Sequence, residues 1–419
     1  MKQAHLNLII FLTLTAIQAH AQFDYTTNAD GALTIIDYFG PSNNVAIPSN
    51  INGLSVTVIG NAVFDGFYDL TNVVIASGIA NVGEWAFQDC HGLVSLTIPT
   101  SITNIGEYAF HNCDGLTNII IPNGVITVEE GAFQDCTNLS YVSIPASASS
   151  IGEGAFEFCS ALRSVSIGYG VTSIEPYAFG NSGLTNLTVP ATVTNMAWVF
   201  EFCSNLTTAI IMSDATEAEG AFYGCSSLTS VALPMGLTNI SSSEFADCGG
   251  LASVIIPTSA TTIGSAAFTL CVGLTNVVIP SAVTNLGDYA FSDSGLLSVF
   301  FKGNAPSADS TVFDSDSVVA YYILGTTGWP EFSTNTGVPA VVWNPAIQVN
   351  DGSFGVRNNK FGFDITGTIN IPIVVEACTN LADPVWVPLQ SLILTNGLFY
   401  FSETFQPNAA GRLYRISSP

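Results

Sequence analysis

Residues Ile105 to Pro122 read Ile-Gly-Glu-Tyr-Ala-Phe-His-Asn-Cys-Asp-Gly-Leu-Thr-Asn-Ile-Ile-Ile-Pro, and the phrase returns along the chain in outline as I-G-x-x-A-F-x-x-C-x-x-L-x-x-V-x-I-P. Its phenylalanine falls at Phe64, Phe87, Phe110, Phe133, Phe156 and Phe179, each 23 residues after the last. Steps of 21 and 22 lead to Phe200 and Phe222, and the 23-residue spacing resumes at Phe245, Phe268 and Phe291, which makes eleven anchors. A fixed period of this length is the mark of stacked repeats, in which each unit is too small to close a core and buries its apolar side against the next.

Within each unit, the segment L-x-x-V-x-I (Leu93, Leu96, Ile98; Leu274, Val277, Ile279) alternates and is rich in β-branched residues, which predicts one short strand. The following proline (Pro99, Pro122, Pro145, Pro190, Pro234, Pro257, Pro280) lacks a backbone donor and ends it. A second short extended piece, such as Ile102 to Ile105, leads into Gly-Glu/Asp-x-Ala-Phe-x-x-Cys, read as a short helical turn. The fold class expected is a repeat solenoid of about 23-residue turns, each a short β-strand plus a short helical turn, followed by a small antiparallel β-sandwich.

The phrase and its period resemble the BspA-type leucine-rich repeat, and the resemblance spans about residues 53 to 301. It implies a secreted or surface-displayed bacterial protein that adheres to or recognises protein or glycan. The stretch from Phe23-Asp24-Tyr25 to Gly53 is similar to the leader that caps such arrays, and Phe301 to Trp329 resembles their exit. The expected division is a signal peptide at 1–21, an N-terminal cap at 22–58, a leucine-rich-repeat solenoid at 59–301, a C-terminal cap of the array at 302–342 and a β-sandwich module at 343–419. The last rests on β-rich runs at 360–365, 371–377, 386–394, 398–405 and 412–416, parted by Gly, Asn and Pro turns.

Composition narrows the partners. With 7 Lys+Arg against 32 Asp+Glu the formal charge is −25, so affinity built on phosphate contacts is excluded for nucleic acid and disfavoured for anionic membranes. The module from Trp343 onward holds four of the basic residues and only five of the acids. Past the N-terminus no run nears the ~18 to 20 apolar residues that cross a bilayer, despite a mean hydropathy of +0.45. At the N-terminus, Lys2, the apolar stretch Leu8 to Ile17 and Ala19-His20-Ala21 follow the order of an export signal, which predicts a secreted or cell-surface location.

Eight of the nine cysteines stand three residues after a repeat phenylalanine, and the same slot holds Phe67, Ser182 and Ser294. One-turn spacing is compatible with bridging, but parallel Cβ directions and this mixture of occupants favour an unbridged inner ladder. Glu84, Glu107, Glu130 and Glu153 share the slot three residues before the phenylalanine. They are weak candidates for a calcium ladder, against the simpler reading of acids placed at a helix start. Metal and other cofactors are expected to be absent, as no C-x-x-C or histidine cluster occurs. His91 and His111 form no general-base arrangement, nucleophile and phosphate-loop motifs are missing, and no pair of acids is marked for glycoside hydrolysis, so a binding role is expected rather than an enzyme.

The residue between the last two apolar positions of each strand faces away from the core. In order it is Val74, Thr97, Ile120, Ser143, Ser166, Thr188, Ile210, Ala232, Ile255, Val278 and Phe300. The last five form an apolar stripe, and beside them run Thr208, Ser230, Ser253 and Asn276. These nine residues are the candidate binding site, for a protein or glycan ligand docking across adjacent turns. The competing readings are strand propensity alone, or cover by the C-terminal module. The alternative function is a structural envelope or spacer component attached through that module, and a hydrolase is a more distant one.

Overall fold

The computed structural model describes residues 22–380, 382, 384–404 and 411–418, and the expected export signal at 1–21 lies outside them. The chain coils into a β-solenoid in which equivalent residues of successive turns pair in parallel. Asn118–Ile120, Tyr141–Ser143 and Ser164–Ser166 pair in steps of 23 residues (Asn118 with Tyr141, Tyr141 with Ser164), and the step shortens to 22 where Asn186 meets Thr208. The two-residue strands Asn81–Val82, Asn104–Ile105, Thr127–Val128, Ser150–Ile151 and Ser173–Ile174 build a second sheet, which joins Leu33–Tyr38 and Leu54–Ile59 at the N-terminal end. In this second sheet that end is capped by the antiparallel pairing of Phe23–Thr27 with Leu33–Tyr38, while Asn44–Ile47 forms the first strand of the other sheet.

The core is a column of side chains. The repeat phenylalanines lie fully buried and stack face to face, from Phe64 on Phe87 (centroids 4.8 Å, planes 8° apart) to Phe268 on Phe291 (5.4 Å, 8°). A twelfth ring, Phe313, extends the column at 5.8 Å. Each of the eight ladder cysteines is buried and unpaired, and each donates its thiol proton to a phenylalanine carbonyl of the preceding turn, as Cys113 Sγ does to Phe87 O at 3.1 Å. Gly106 is needed because turns approach so closely there that a Cβ would lie 2.8 Å from the backbone of Gly83 and Glu84.

The corner carrying Ala-Phe is where the structure departs from the sequence reading. In place of helix it is a run of tight turns in which residues two before and two after the phenylalanine adopt left-handed backbone, for example Trp85 (φ 54°) and Asp89 (φ 55°) around Phe87. The alternation points every second N–H along the solenoid axis: Trp85, Phe87 and Asp89 donate to the carbonyls of Glu107, Ala109 and His111 in the next turn at 2.8–3.0 Å. The intervening N–H groups bond within the turn, such as Gln88 to Trp85 at 3.0 Å. Left-handed backbone costs a side-chain-bearing residue about 1–2 kcal/mol. The cost is met by a hydrogen-bond ladder that a helix could not offer to its neighbour.

Among the described residues one α-helix occurs, Trp329–Thr336, bounded by left-handed Gly328 and Gly337. It sets Trp329 and Phe332 against Phe301 (5.0 and 5.3 Å) and covers the exit of the column. Beyond it, Lys360–Thr366 is flanked by Gly355–Arg357 and Leu398–Thr404, and Ile371–Cys378 by Val387–Leu394 and Leu413–Ser417, all antiparallel. The two sheets share one core through Phe363, Ile365 and Phe401 on one side and Ile371, Ile373, Val375 and Leu394 on the other. This is the antiparallel sandwich expected.

Candidate binding surface

Along the outward face of the longer strands, alternation turns every second side chain to solvent. Ile210 is 50% exposed and Ile255 81%, with Ala232 exposed between them. Ser230 and Ser253 stand exposed alongside, whereas Thr208 and Asn276 are half-buried, Thr208 donating to Asn186 Oδ1 at 2.8 Å. Residues 251–257 are assigned no strand, so Ile255 rises from a coil whose outer segment is not laddered to Ser230–Ala232 or to Asn276–Ile279. Five of the nine candidate residues, Ile210, Ser230, Ala232, Ser253 and Ile255, are therefore exposed on three adjacent turns, with the half-buried Thr208 and Asn276 at their margins.

The other two do not share it. Phe300 is only 4% exposed and Val278 is half-buried, because the β-sandwich packs on the outward face of the last strands. Phe300 stacks on Tyr321 at 5.1 Å and meets Trp343 edge-on at 6.3 Å. Tyr321 Oη donates to Asn370 O at 3.2 Å and Trp343 Nε1 to Pro372 O at 2.9 Å. Phe300 is thus corrected from an exposed anchor to part of an internal joint, Val278 from an exposed anchor to its half-buried margin, and the exposed apolar stripe ends at Ile255.

A feature outside the nine residues lies nearer the N-terminal end. Ser95–Thr97 and Asn118–Ile120 do not pair, and a cleft of about 610 Å³ opens beside the break, lined by Thr97, Asn118, Ile120, Pro122, Ser143 and Pro145. Ile120 is 71% exposed there. Its outward place was readable from the alternation, but the loss of pairing depends on how neighbouring coils settle and leaves no mark in the repeat phrase.

Glu84, Glu107, Glu130 and Glu153 occupy one corner position in four successive turns, as expected, but they disperse their contacts. Glu84 accepts from Asn61 Nδ2 at 3.3 Å and Glu130 accepts the Tyr108 hydroxyl at 2.5 Å. That bond to a carboxylate, with burial adding to it, pushes the Tyr108 hydroxyl up to about 12. Among the described residues no group of three or more His, Cys, Asp or Glu is arranged to hold a metal ion. His91 Nδ1 lies 3.1 Å from Asp114 and His111 Nε2 3.4 Å from Asp135, each across one turn.

A coiled array whose interior is a phenylalanine column and whose corners are laddered turn to turn defines the class as a leucine-rich-repeat solenoid. The chain belongs to the BspA type leucine rich repeat family, whose region is matched in six copies over residues 42–150, 127–219 and 197–319. Among solved structures it is similar to a leucine rich cell surface protein of Faecalibacterium prausnitzii (26% identity, 71% of this chain and 97% of that one, TM-score 0.41). It is similar also to a leucine-rich repeat protein of Bacteroides ovatus (22%, 72% and 98%, 0.41) and to the pneumococcal vaccine antigen PcpA (17%, 77% and 96%, 0.42). No curated protein matches the sequence. Among the described residues no helix is long and apolar enough to cross a membrane.

Proposed function

We propose that this chain is an exported surface repeat protein that recognises a protein or glycan through the outward face of its repeat strands. The observation that carries the reading is the exposure of Ile255 and Ile210 on neighbouring turns, flanked by Ala232, Ser230 and Ser253. Apolar anchors ringed by hydrogen-bonding groups are the composition of a recognition patch. Membership of the BspA-type family and the leader-like residues 1–21 support export to the surface. In this reading the segments 22–58 and 302–342 seal the ends, 59–301 carry the recognition surface, and 343–419 bound it by covering Val278 and Phe300. The role is binding, without chemistry of its own.

The test is a screen of the mature chain against protein and glycan arrays, repeated with Ile210→Asp/Ile255→Asp. Two charges at the centre of a desolvated patch should weaken every true hit by about tenfold or more while the melting temperature stays unchanged. Hits that survive the double replacement undiminished would remove this face as the site.

A further inference from the structure

The left-handed corner positions of the solenoid are natural places for glycine, and Gly66, Gly131, Gly154, Gly220 and Gly224 occupy some of them without penalty. Others carry large aromatic side chains at φ between 52° and 58°, a conformation rare for bulky residues. These rings are not hidden: Trp85, Phe158, Phe202 and Tyr289 remain 41–48% exposed. Five of the seven corner aromatics follow an acidic residue directly, giving the pairs Glu84–Trp85, Glu107–Tyr108, Glu157–Phe158, Glu201–Phe202 and Asp288–Tyr289, whereas Tyr177 and Trp198 follow Pro176 and Ala197.

Contact between the two kinds of group is direct, since the Tyr108 hydroxyl reaches Glu130 of the next coil at 2.5 Å. The seven residues from three before to three after each of the twelve stacked phenylalanines hold half of the 32 acidic residues and neither Lys nor Arg. Among the described residues none of the five paired carboxylates forms an ion pair within the chain. A carboxylate next in sequence to a corner ring, in the coils of Phe87, Phe110, Phe156, Phe200 and Phe291, offers what a guanidinium or ammonium group binds: opposite charge together with an electron-rich face.

We propose that this corner edge is a docking rail for a basic polypeptide, whose Arg and Lys side chains lodge against the rings and pair with the adjoining carboxylates. The surface lies apart from the outward strand face and is independent of the function proposed for it. Charge complementarity selects the occupant, since a chain of net −25 repels nucleic acid and anionic lipid from the same edge.

The experiment uses the full mature chain and a fluorescent deca-arginine peptide, followed by anisotropy at about 0.15 M ionic strength, where weak long-range attraction is largely screened. Replacing Trp85, Phe158, Phe202 and Tyr289 together by Gly suits the left-handed backbone and removes the rings. Binding should weaken by about tenfold or more with the melting temperature unchanged or raised. A milder variant, Phe158→Leu/Phe202→Leu, guards against loss of fold, because Leu270 already occupies this slot at φ 58°. It should weaken binding about threefold or more. Glu84→Gln/Glu157→Gln/Glu201→Gln should weaken it likewise and flatten its salt dependence. Undiminished binding by the ring-less variants, no binding by the native chain, or ring-dependent capture of a neutral glycan instead of the peptide would each overturn the proposal.

Discussion

The Glu244 carboxylate accepts the backbone N–H of Ser241 at 2.7 Å from a fully buried position that every other coil gives to Ala or Val. Burial outweighs that bond and pushes the carboxyl from 4.5 to about 8. The folded chain therefore keeps a proton that the unfolded chain releases above pH 4.5.

The contribution of this group is complete below pH 4.5 and is lost as pH climbs through about 8, at up to about 1.4 kcal/mol per pH unit within that window. Glu244→Ala restores the common residue of the slot and should raise the melting temperature at about pH 9 much more than at about pH 5. Circular dichroism melts at the two pH values decide it, and an equal shift at both would show that Glu244 is ionised in the folded chain.

The cysteine ladder should be chemically silent until the coils open. Burial holds the Cys136 thiol up at about 12, so the nucleophilic thiolate is scarce at neutral pH. A thiol reagent should find the ladder cysteines unreactive in the native chain and all nine cysteines in denaturant without reductant. Fewer than nine would reveal bridges. Cys136→Ser should cost only about 1–2 kcal/mol in urea unfolding, since Ser182 already fills the equivalent place and bonds to Cys203 Sγ at 3.3 Å.

The joint between array and sandwich hangs on Phe300 and Tyr321. Phe300→Ala should remove about 3–5 kcal/mol of packing and speed proteolytic cleavage near Asn344, liberating the sandwich before the coils unfold. Tyr321→Phe, which strands the carbonyl of Asn370, should do the same more weakly, by about 1 kcal/mol. Cleavage at the native rate in both variants would mean the contact is not what holds the two parts together.

The array itself was legible because one buried phenylalanine per coil imposes a spacing that survives changes of neighbouring residues, and even the 21- and 22-residue steps at Phe200 and Phe222 stayed in the column. The corner was not legible as a left-handed alternation. Residues such as Trp85 and Ala266 have no local preference for positive φ, and only the inter-coil hydrogen bonds that they make there impose it. Half-burial of Val278 and full burial of Phe300 were equally invisible to alternation, since the cover comes from later parts of the chain, from Tyr321 and Trp343 to Phe363. Ile210 and Ala232 are exposed on strands as alternation expects, whereas Ile255 is exposed on a segment that forms no strand.

The corner ladder gives the gene a simple way to grow. Because each coil hands its successor the same donors and receives the same ones from its predecessor, a duplicated or deleted copy rejoins without a mismatched seam. Descendants of this chain should therefore differ in length by whole coils, the array lengthening or shortening while its two closing ends stay as they are.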